Sequence, residues 1–265
     1  MKKLINITPK RLFTFGCSFT GHKWPTWADI VSKDLSVKLH NYGCGGAGNQ
    51  YIFNCIMTAD NLHKFNEQDL VMICWTNLAR EDRYVGGKWI TPGNIFSQNE
   101  YESSYVKKYA DSIGYAMRDF ATIKATWEFL NNRKCQFHMM KMIDFEMVDQ
   151  WNHSDQLLDA KNLFDQYKFY LDDITQSFYK VLWNNNIQLK FNKEKNDIHP
   201  KYRDGHPLVS EHFEYLEKTF NHKFRKHTVD FVEEKNTAVI NRIKEYCDKK
   251  IAIWEDKAIF DDIFL

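Results

Sequence analysis

Two segments far apart in the chain carry the side chains that acyl transfer requires. Ser18 lies in FTFGCSFTGHKWP (13–25), just after the glycine that ends an apolar run. Asp204 and His206 lie far downstream, in RDGHP (203–207). A serine hydroxyl attacks a carbonyl efficiently only when a base removes its proton, and a carboxylate can orient that base. We therefore expect Ser18 as the nucleophile, His206 as the general base and Asp204 as its orienting acid.

The same chemistry needs hydrogen-bond donors where the negative charge of the tetrahedral intermediate forms. Candidate donors are the backbone N–H of Ser18, that of Gly46 in NYGCGGAGN (41–49) and the side-chain amide of Asn77 in WTNLAR (75–80). A glycine at position 46 lets the backbone approach a substrate closely, because no side chain stands in the way. These three residues form the predicted oxyanion hole.

The elements that must position these residues follow from the hydrophobic pattern. Three apolar runs predict strands and the segments between them predict helices: RLFTFG, SVKLHNYG and DLVMICWT, with WPTWADIVSKDL and NQYIFNCIMTADNLHKF. This β–α–β–α–β order predicts a parallel central sheet with helices on both faces, a three-layer α/β/α fold. Ligands bind at the carboxyl ends of such strands, so we expect Ser18, the glycine-rich segment and Asn77 to meet at one edge.

The rest of the chain extends this domain. Its patterns predict, in order, an insertion or small hairpin at about 84–105, a helix at 106–133, a strand at CQFHMMKMI, a helix near 166–184, a strand at NIQLKFN and a helix at PLVSEHFEYLEKTF. A charged helix near 229–250 and the apolar tail IAIWEDKAIFDDIFL follow. We predict one α/β domain over residues 1–225 and a C-terminal extension over 226–265. The tail could dock on the body or on a protein partner.

Four of these motifs, in this order, resemble those of the SGNH (GDSL-like) hydrolases. GCS stands where that family has its GDS-type serine, NYGCGG matches N-x-G-x-x-G, WTNL matches G-x-N-D, and DGHP stands for D-x-x-H-P. The resemblance implies a flavodoxin-like sheet and a serine esterase or O-deacetylase, with Ser18, His206 and Asp204 as the triad. It also implies Ser18, Gly46 and Asn77 as the oxyanion hole, and no metal or cofactor. The GCSFT form is similar to phage and bacterial polysaccharide-associated members, which suggests an acylated small molecule or carbohydrate as substrate.

The motifs also depart from the family pattern. Cys17 replaces the aspartate of GDS, Trp75 and Leu78 replace the glycine and aspartate around Asn77, and the acid–base spacing is D-x-H instead of D-x-x-H. These departures leave open a non-catalytic structural or binding protein that keeps the fold. Acyl transfer to a sugar instead of to water also stays open, because the acceptor site decides between the two.

Several residues and segments have an alternative interpretation. His199, in DIHP, repeats the pattern around His206 and is an alternative base. The glycine-rich segment could cradle a phosphate, but it lacks both the Walker lysine and the GxGxxG pattern. Cys17 is disfavoured as a nucleophile because its side chain should point away from that of Ser18. We expect Arg80, Asp82 and Arg83 to lie in a solvated loop, with contact between Arg80 and an anionic substrate as an alternative. We expect His212 to lie on a helix surface or behind the catalytic residues.

The amino-acid composition limits the kinds of binding partner and the cellular compartment that we expect. The 36 basic and 35 acidic residues give a net charge of +1, which favours neither nucleic acid nor an anionic membrane as a partner. The six cysteines are widely spaced, which indicates reduced thiols instead of a disulfide framework or a metal site. The N-terminus has no signal-peptide pattern, and no stretch has the roughly 20 apolar residues of a membrane span. We expect a cytoplasmic protein, including a viral one made in a host, and a homo-oligomer remains open.

Overall fold

The structure is a computed structural model that describes residues 2–96, 101–145, 154–193 and 204–249. Its strands are β1 (Arg11–Gly16), β2 (Lys38–Gly43), β3 (Asp69–Trp75), β4 (Arg83–Val85), β5 (Lys88–Ile90) and β6 (Gln136–Lys141). Four of them form one parallel sheet in the order β2-β1-β3-β6, and β4 pairs with β5 in an antiparallel hairpin. The sheet order is that of the first four strands of a flavodoxin-like fold, as predicted.

Helices of the described residues flank the sheet. They are α1 (Trp27–Leu35), α2 (Asn49–His63), α3 (Ser103–Tyr109), α4 (Ser112–Arg133), α5 (Ser154–Asp172), α6 (Phe178–Trp183), α7 (Ile187–Lys193), α8 (Val209–Thr219) and α9 (Lys226–Asp248). The predicted helices at the positions of α1, α2, α8 and α9 are confirmed, with ends that differ by a few residues.

Both faces of the sheet are buried, which explains the near-continuous apolar strands. Every residue of β3 is buried. Leu70, Met72 and Cys74 pack with residues of α1, α6, α8 and α9, whereas the alternate residues Val71 and Ile73 pack with α2, α4 and α5. Successive side chains of a strand point to opposite faces, so one strand supplies both cores. The prediction of a parallel sheet covered by helices on both faces is confirmed.

The carboxyl ends of β1, β2 and β3 lie side by side. Gly16 pairs with Gly43 of β2 and with Cys74 of β3. Beyond the strand, the turn after β1 touches the end of β2, since a Cβ built on Gly43 would lie 2.3 Å from the backbone nitrogen of Gly21. Glycine is required where two backbones approach this closely. The loops after the three strands therefore share one edge of the sheet.

Three expectations about the middle of the chain are wrong. The helix expected at 106–133 is broken, because Asp111 caps a new helix by accepting a hydrogen bond from the Gly114 N–H at 2.6 Å. The helix expected near 166–184 is likewise two helices, α5 and α6, and Ser177 caps the second one. The strand expected at NIQLKFN is the helix α7, which begins after Asn186. A short apolar run fits either period, and here the preceding turn decides.

The C-terminal helix α9 is tied to the domain through a buried carboxylate. Asp34, on α1, accepts hydrogen bonds from His222 Nε2 at 2.7 Å, from the Arg225 N–H at 2.8 Å and from Thr228 Oγ1 at 2.9 Å. Val232, Val239 and Ile243 of α9 belong to the same apolar cluster as the α1 residues. The predicted boundary at residue 225 stays a prediction, and the tail at 251–265 lies outside the described residues.

None of the helices in the described part of the chain has both the length and the apolar character that crossing a membrane would take.

Candidate active site

The structure brings Ser18, His206 and Asp204 together in one hydrogen-bonded line. His206 Nε2 lies 2.8 Å from Ser18 Oγ, and His206 Nδ1 lies 2.5 Å from Asp204 Oδ1. Ser18 is half-buried, and the side chain of His206 is 30% exposed, so both are within reach of a solute. The other candidate base, His199, lies outside the described residues.

With the D-x-H spacing, Asp204 still reaches the imidazole of His206, because it forms two hydrogen bonds with that residue. Its Oδ1 atom accepts the backbone N–H of His206 at 2.8 Å as well as the ring Nδ1 at 2.5 Å. An aspartate that bonds the backbone two residues further on forms a tight local turn. Gly205, between the two, is exposed, and a Cβ there would meet nothing within 4 Å. The carboxylate thus reaches the far nitrogen of the imidazole without the extra residue of the D-x-x-H motif.

Asp204 stays ionised in this setting. Burial opposes its charge, but the hydrogen bond from His206 and the nearby imidazoles of His206 and His22 outweigh burial and hold the pKa of the carboxyl well below its usual range. An ionised carboxylate beside Nδ1 keeps the proton on that nitrogen. Nε2 then carries the lone pair that faces Ser18, which is the arrangement a general base needs.

Ser18 is presented by a tight turn at the end of β1. The N–H groups of Thr20 and Gly21 donate to the Cys17 carbonyl at 2.8 and 3.1 Å, which folds the chain back over the strand end. Cys17 is fully buried, with its Sγ 3.7 Å from the sulfur of Met142. The two neighbouring side chains therefore point to opposite sides, and the thiol has no access to a substrate.

Gly46 lies in the loop after β2, and the structure gives a packing reason for its lack of a side chain that the sequence did not show. Its φ angle is +74°, and a Cβ would lie 2.0 Å from the Thr91 carbonyl oxygen. Thr91 also donates its hydroxyl to the Gly45 carbonyl at 2.8 Å. The β4–β5 hairpin thus packs directly on this loop, and the hairpin backbone occupies the space that a side chain would need. The role of the Gly46 N–H stays a prediction.

Asn77 follows β3 and is half-buried at the same edge. Its Oδ1 accepts the Ala79 N–H at 2.8 Å, so the NH₂ end of the amide is the part that could donate to an oxyanion. The role of the Asn77 amide in an oxyanion hole stays a prediction.

The expectation of a solvated loop at Arg80–Arg83 is wrong for its first residues. Asp82 is buried and accepts the N–H groups of Gly48 at 2.8 Å and Tyr51 at 2.9 Å, at the start of α2. Arg80 donates to the Ala47 carbonyl at 2.8 Å. Negative charge at a helix N-terminus is favourable, because it satisfies free N–H groups and the helix dipole. Residues 80–83, which we call the strip at 80–83, thus contact the glycine-rich loop through Ala47 and Gly48.

Sequence reasoning missed His22, which packs on the general base. Its ring stacks on that of His206 with centroids 4.0 Å apart and planes 26° apart. The Trp24 ring meets His22 edge-on at 4.1 Å, and its indole N–H donates to the Pro207 carbonyl at 2.9 Å. Both residues stand in GHKWP, within a few positions of Ser18. That proximity was the available signal, although a histidine in a loop is not distinctive.

Two further residues lie behind the site: Lys190, which sequence reasoning did not single out, and His212, for which that place was one of two expectations. Lys190 of α7 has a fully buried side chain, lies 3.5 Å from Glu211 and donates to the His206 carbonyl. His212 was expected on a helix surface or behind the site; it is fully buried against the rings of Phe19 and Phe178. Burial lowers the pKa of His212 well below its usual value, so it is a neutral part of the core.

One group of side chains has the spacing of a metal site. Donor atoms of His22, Asp204 and His206 lie within 4.8 Å of one another, and no other group among the described residues does so. The two imidazole rings are stacked, with their centroids 4.0 Å apart and their planes 26° apart. Their in-plane lone pairs consequently do not converge on one ion at the distance of about 2 Å that a metal–nitrogen bond requires. We derive no chemistry through a metal.

A cleft of about 510 Å³ opens on the far side of the strip at 80–83. Tyrosines and opposing charges line it, namely Tyr105, Tyr109, Tyr115, Arg83, Arg118, Glu81 and Asp111. At its base Glu81 accepts the Tyr115 hydroxyl at 2.7 Å and pairs with Arg83 at 2.7 Å and Arg118 at 3.4 Å. Two cations and two anions balance in this lining, so the cleft suits a neutral ligand.

Comparison with known proteins gives similarity only among solved structures. No family model matches the chain, and no curated protein sequence is significantly similar to it.

Three of the structurally similar proteins are lipolytic or esterase proteins. One is a member of the lipolytic G-D-S-L family from Veillonella parvula (16% identity, 78% of this chain and 96% of that one, TM-score 0.41). Another is a GDSL-like lipase from Bacteroides thetaiotaomicron (14%, 79% and 85%, TM-score 0.40). A third is a variant of an acetyl-xylooligosaccharide esterase from a Geobacillus species (12%, 84% and 100%, TM-score 0.41). The first two names are those of the family that the motifs resemble, but likenesses at these scores carry no argument about activity.

Proposed function

We propose that this protein is a serine ester hydrolase that uses Ser18, His206 and Asp204. The observation that carries the proposal is the hydrogen-bonded line from Ser18 Oγ through His206 to Asp204, with contacts of 2.8 and 2.5 Å. A candidate base must lie within hydrogen-bond reach of the proton it removes, and His206 does. The residues come from opposite ends of the chain, so their alignment does not follow from local structure.

In the proposed reaction His206 Nε2 takes the hydroxyl proton as Ser18 Oγ bonds to the ester carbonyl carbon. The carbonyl electron pair moves onto its oxygen, and the N–H groups of Ser18 and Gly46 and the amide of Asn77 would stabilise that charge. Collapse expels the alcohol, which takes the proton from His206. Water then repeats both steps on the acyl-enzyme, releases the carboxylic acid and restores Ser18.

The substrate class we propose is an acetyl or other short acyl ester of a small molecule or carbohydrate. The neutral, tyrosine-lined cleft supports this choice. Its volume is in the range of small-molecule sites, and it adjoins the loop that follows Asn77. Glu81 at its base is four residues from Asn77, so an extended chain of this length spans at most about 14 Å. Neither Ser18 nor His206 lines this cleft, so the proposal requires a sugar bound there to extend past Asn77 until its ester reaches Ser18.

Hydrolysis of p-nitrophenyl acetate tests the activity. We expect wild-type protein to hydrolyse it well above the buffer rate, and Ser18→Ala to fall to near the buffer rate. Ser104→Ala is the matched control, because Ser104 is an exposed serine on α3 whose hydroxyl lies 3.4 Å from Glu102, and this variant should keep wild-type activity. Equal rates for wild type and Ser18→Ala would remove the proposal for this ester.

Two alternatives are outcomes of the same experiment. If the acyl-enzyme forms but turns over faster when a sugar is added, the protein transfers the acyl group to the sugar instead of to water. If a folded protein shows neither turnover nor acylation, it is a non-catalytic member that keeps the fold.

A further inference from the structure

We propose that His22 is a positioning residue that holds the ring of His206 in the orientation needed to serve Ser18. The inference rests on the proposed hydrolase function. It concerns a residue outside the predicted triad and oxyanion hole.

The hydrogen bonds of His206 hold its ring nitrogens and its backbone but not the faces of its ring, and His22 covers one of these faces. Asp204 fixes Nδ1, Ser18 faces Nε2, and Lys190 holds the His206 backbone carbonyl. These contacts lie in or near the plane of the ring or at its backbone, so they do not hold the faces of the ring. Phe19 also meets the ring, but at a centroid distance of 5.8 Å and a tilt of 58°. His22 lies flat against one face of the ring, with centroids 4.0 Å apart, and restricts tilting of the ring toward that face.

His22 is itself held firmly enough to act as a support. Its side chain is 10% exposed, and Trp24 meets its ring edge-on at 4.1 Å with planes 88° apart. The Trp24 indole N–H donates to the Pro207 carbonyl, which is the residue next to His206. The loop that carries Ser18 therefore contacts two successive residues of the other segment, His206 through His22 and Pro207 through Trp24.

The charges around this pair favour the support role over a second base. Asp204 Oδ2 is 3.7 Å from His22 Nε2, too far for a hydrogen bond, and His22 Nε2 is buried with no hydrogen-bond partner among the described residues. Burial, with His206 and Lys23 nearby, lowers the pKa of His22 to about 4 although Asp204 opposes this. A neutral ring lies beneath His206 while it works. Its π face can attract the imidazolium that forms during catalysis.

The test compares variants that keep or remove a flat ring at position 22. His22→Phe keeps the flat face, whereas His22→Leu keeps much of the volume without it, and His22→Ala removes both. We expect His22→Ala and His22→Leu to lower kcat for p-nitrophenyl acetate by roughly 10- to 100-fold with KM within about 2-fold, since small misplacements of a catalytic group cost up to this much. His22→Phe should stay within about 3-fold of wild type. His40→Ala is the control, because His40 stacks on Phe13 at 4.6 Å outside the site.

The inference is overturned if His22→Leu is as active as His22→Phe, whether both variants keep wild-type activity or both lose it to the same extent. The Phe and Leu pair keeps the test decisive if His22→Ala does not fold. Failure of the underlying function is separate, because in that case Ser18→Ala would match wild type. If Ser18→Ala is inactive and all three His22 variants are fully active, only the role of His22 is refuted.

Discussion

At the scale of single residues, Asp204 shows how a short spacing can replace a longer motif. A carboxylate two residues before a histidine reaches Nδ1 here because it also binds the histidine N–H, at 2.8 Å. The hydrogen bond that forms the backbone turn and the hydrogen bond to the imidazole thus share one carboxylate oxygen, Oδ1 of Asp204. A sequence pattern cannot show this, since it records spacing and not the direction of the side chain.

Replacing Asp204 by asparagine should impair the reaction and leave the fold intact. The amide cannot stabilise the imidazolium that forms on His206, and it can present a donor to Nδ1 and select the wrong tautomer. Loss of charge at the corresponding position of such triads costs about 10⁴-fold in kcat, and we expect roughly 10³- to 10⁴-fold here. Steady-state hydrolysis of p-nitrophenyl acetate measures it. Asp165→Asn, at an exposed position of α5, is the control, and a loss below 10-fold in Asp204→Asn would argue against the triad.

His22 should make the protein less stable in mild acid. Its pKa is lowered to about 4 in the folded state from an ordinary value of 6.5 in the unfolded chain, so the unfolded chain binds more protons between these values. Stability is then full above about pH 6.5 and falls as the pH drops toward 4, and His22 accounts for about 2 kcal/mol between pH 7 and 5. Urea unfolding of wild type and His22→Phe at both pH values measures the difference. Equal pH dependence in the two proteins would contradict it.

At the scale of elements, the strip at 80–83 links the loop after β3 to the loop after β2. Asp82 caps α2, Arg80 holds the Ala47 carbonyl, and the Arg80 carbonyl accepts a hydrogen bond from Arg118 at 2.9 Å. The glycine-rich loop is therefore fixed from one side by this strip and from the other by the hairpin at Thr91. Its position depends on neighbours that are distant in the chain.

Removing the Asp82 carboxylate should lower activity by more than the accompanying loss of folding stability can account for. Asp82→Ala removes a helix cap, which costs about 1–2 kcal/mol, and frees the loop that carries Gly46. Asp60→Ala is the matched control at the other end of α2, where Asp60 accepts the Phe65 N–H at 3.0 Å and pairs with Arg133 at 2.6 Å. We expect both variants to lose stability in urea, but only Asp82→Ala to lose kcat, by roughly 10-fold. Equal kcat values per folded molecule would show that the cap does not position the loop.

The elements differ in how well the sequence predicts them, for physical reasons. β1 and β3 are buried on both faces, so their apolar runs admit one interpretation. The segment at about 84–105 could be read from the sequence only as an insertion or small hairpin. In the structure, the hairpin turn has Gly86 and Gly87 at positive φ angles of 59° and 82°. Helices α3 and α4 read as one because a single capping aspartate separates them. The segment of α7 fits a strand as well as a helix, and only its surroundings decide.

At the scale of the whole molecule, the candidate site depends on contacts that no local pattern contains. Ser18, Gly46 and Asn77 could be assigned to one edge of a parallel sheet because that topology places successive strand ends together, whereas His206 was proposed from its residue type and the motif around it. His22, Asp82 and Lys190 could not, since their roles arise from the way loops pack against one another. The sequence predicts the groups that would react, whereas their supports follow only from the three-dimensional fold.

The tyrosine-lined cleft should contribute to binding of a sugar ester but not of a minimal one. Tyr109 is 60% exposed in that cleft, and one aromatic contact is worth about 0.5–1.5 kcal/mol. We expect Tyr109→Ala to raise KM for cellobiose octaacetate roughly 3- to 10-fold and to leave p-nitrophenyl acetate kinetics unchanged. Tyr84→Ala, which removes a tyrosine that is 63% exposed on the hairpin, should change neither. An unchanged KM in Tyr109→Ala would exclude the cleft from substrate binding.

Reaction with a fluorophosphonate probe tests the central claim most directly, because it requires an activated serine but no knowledge of the natural ester. Intact mass and peptide mapping of the labelled protein should show one adduct, on Ser18, at a rate that Asp204→Asn greatly reduces and Ser104→Ala leaves unchanged. A folded protein that takes up no probe, or that carries it on a residue other than Ser18, would contradict the account.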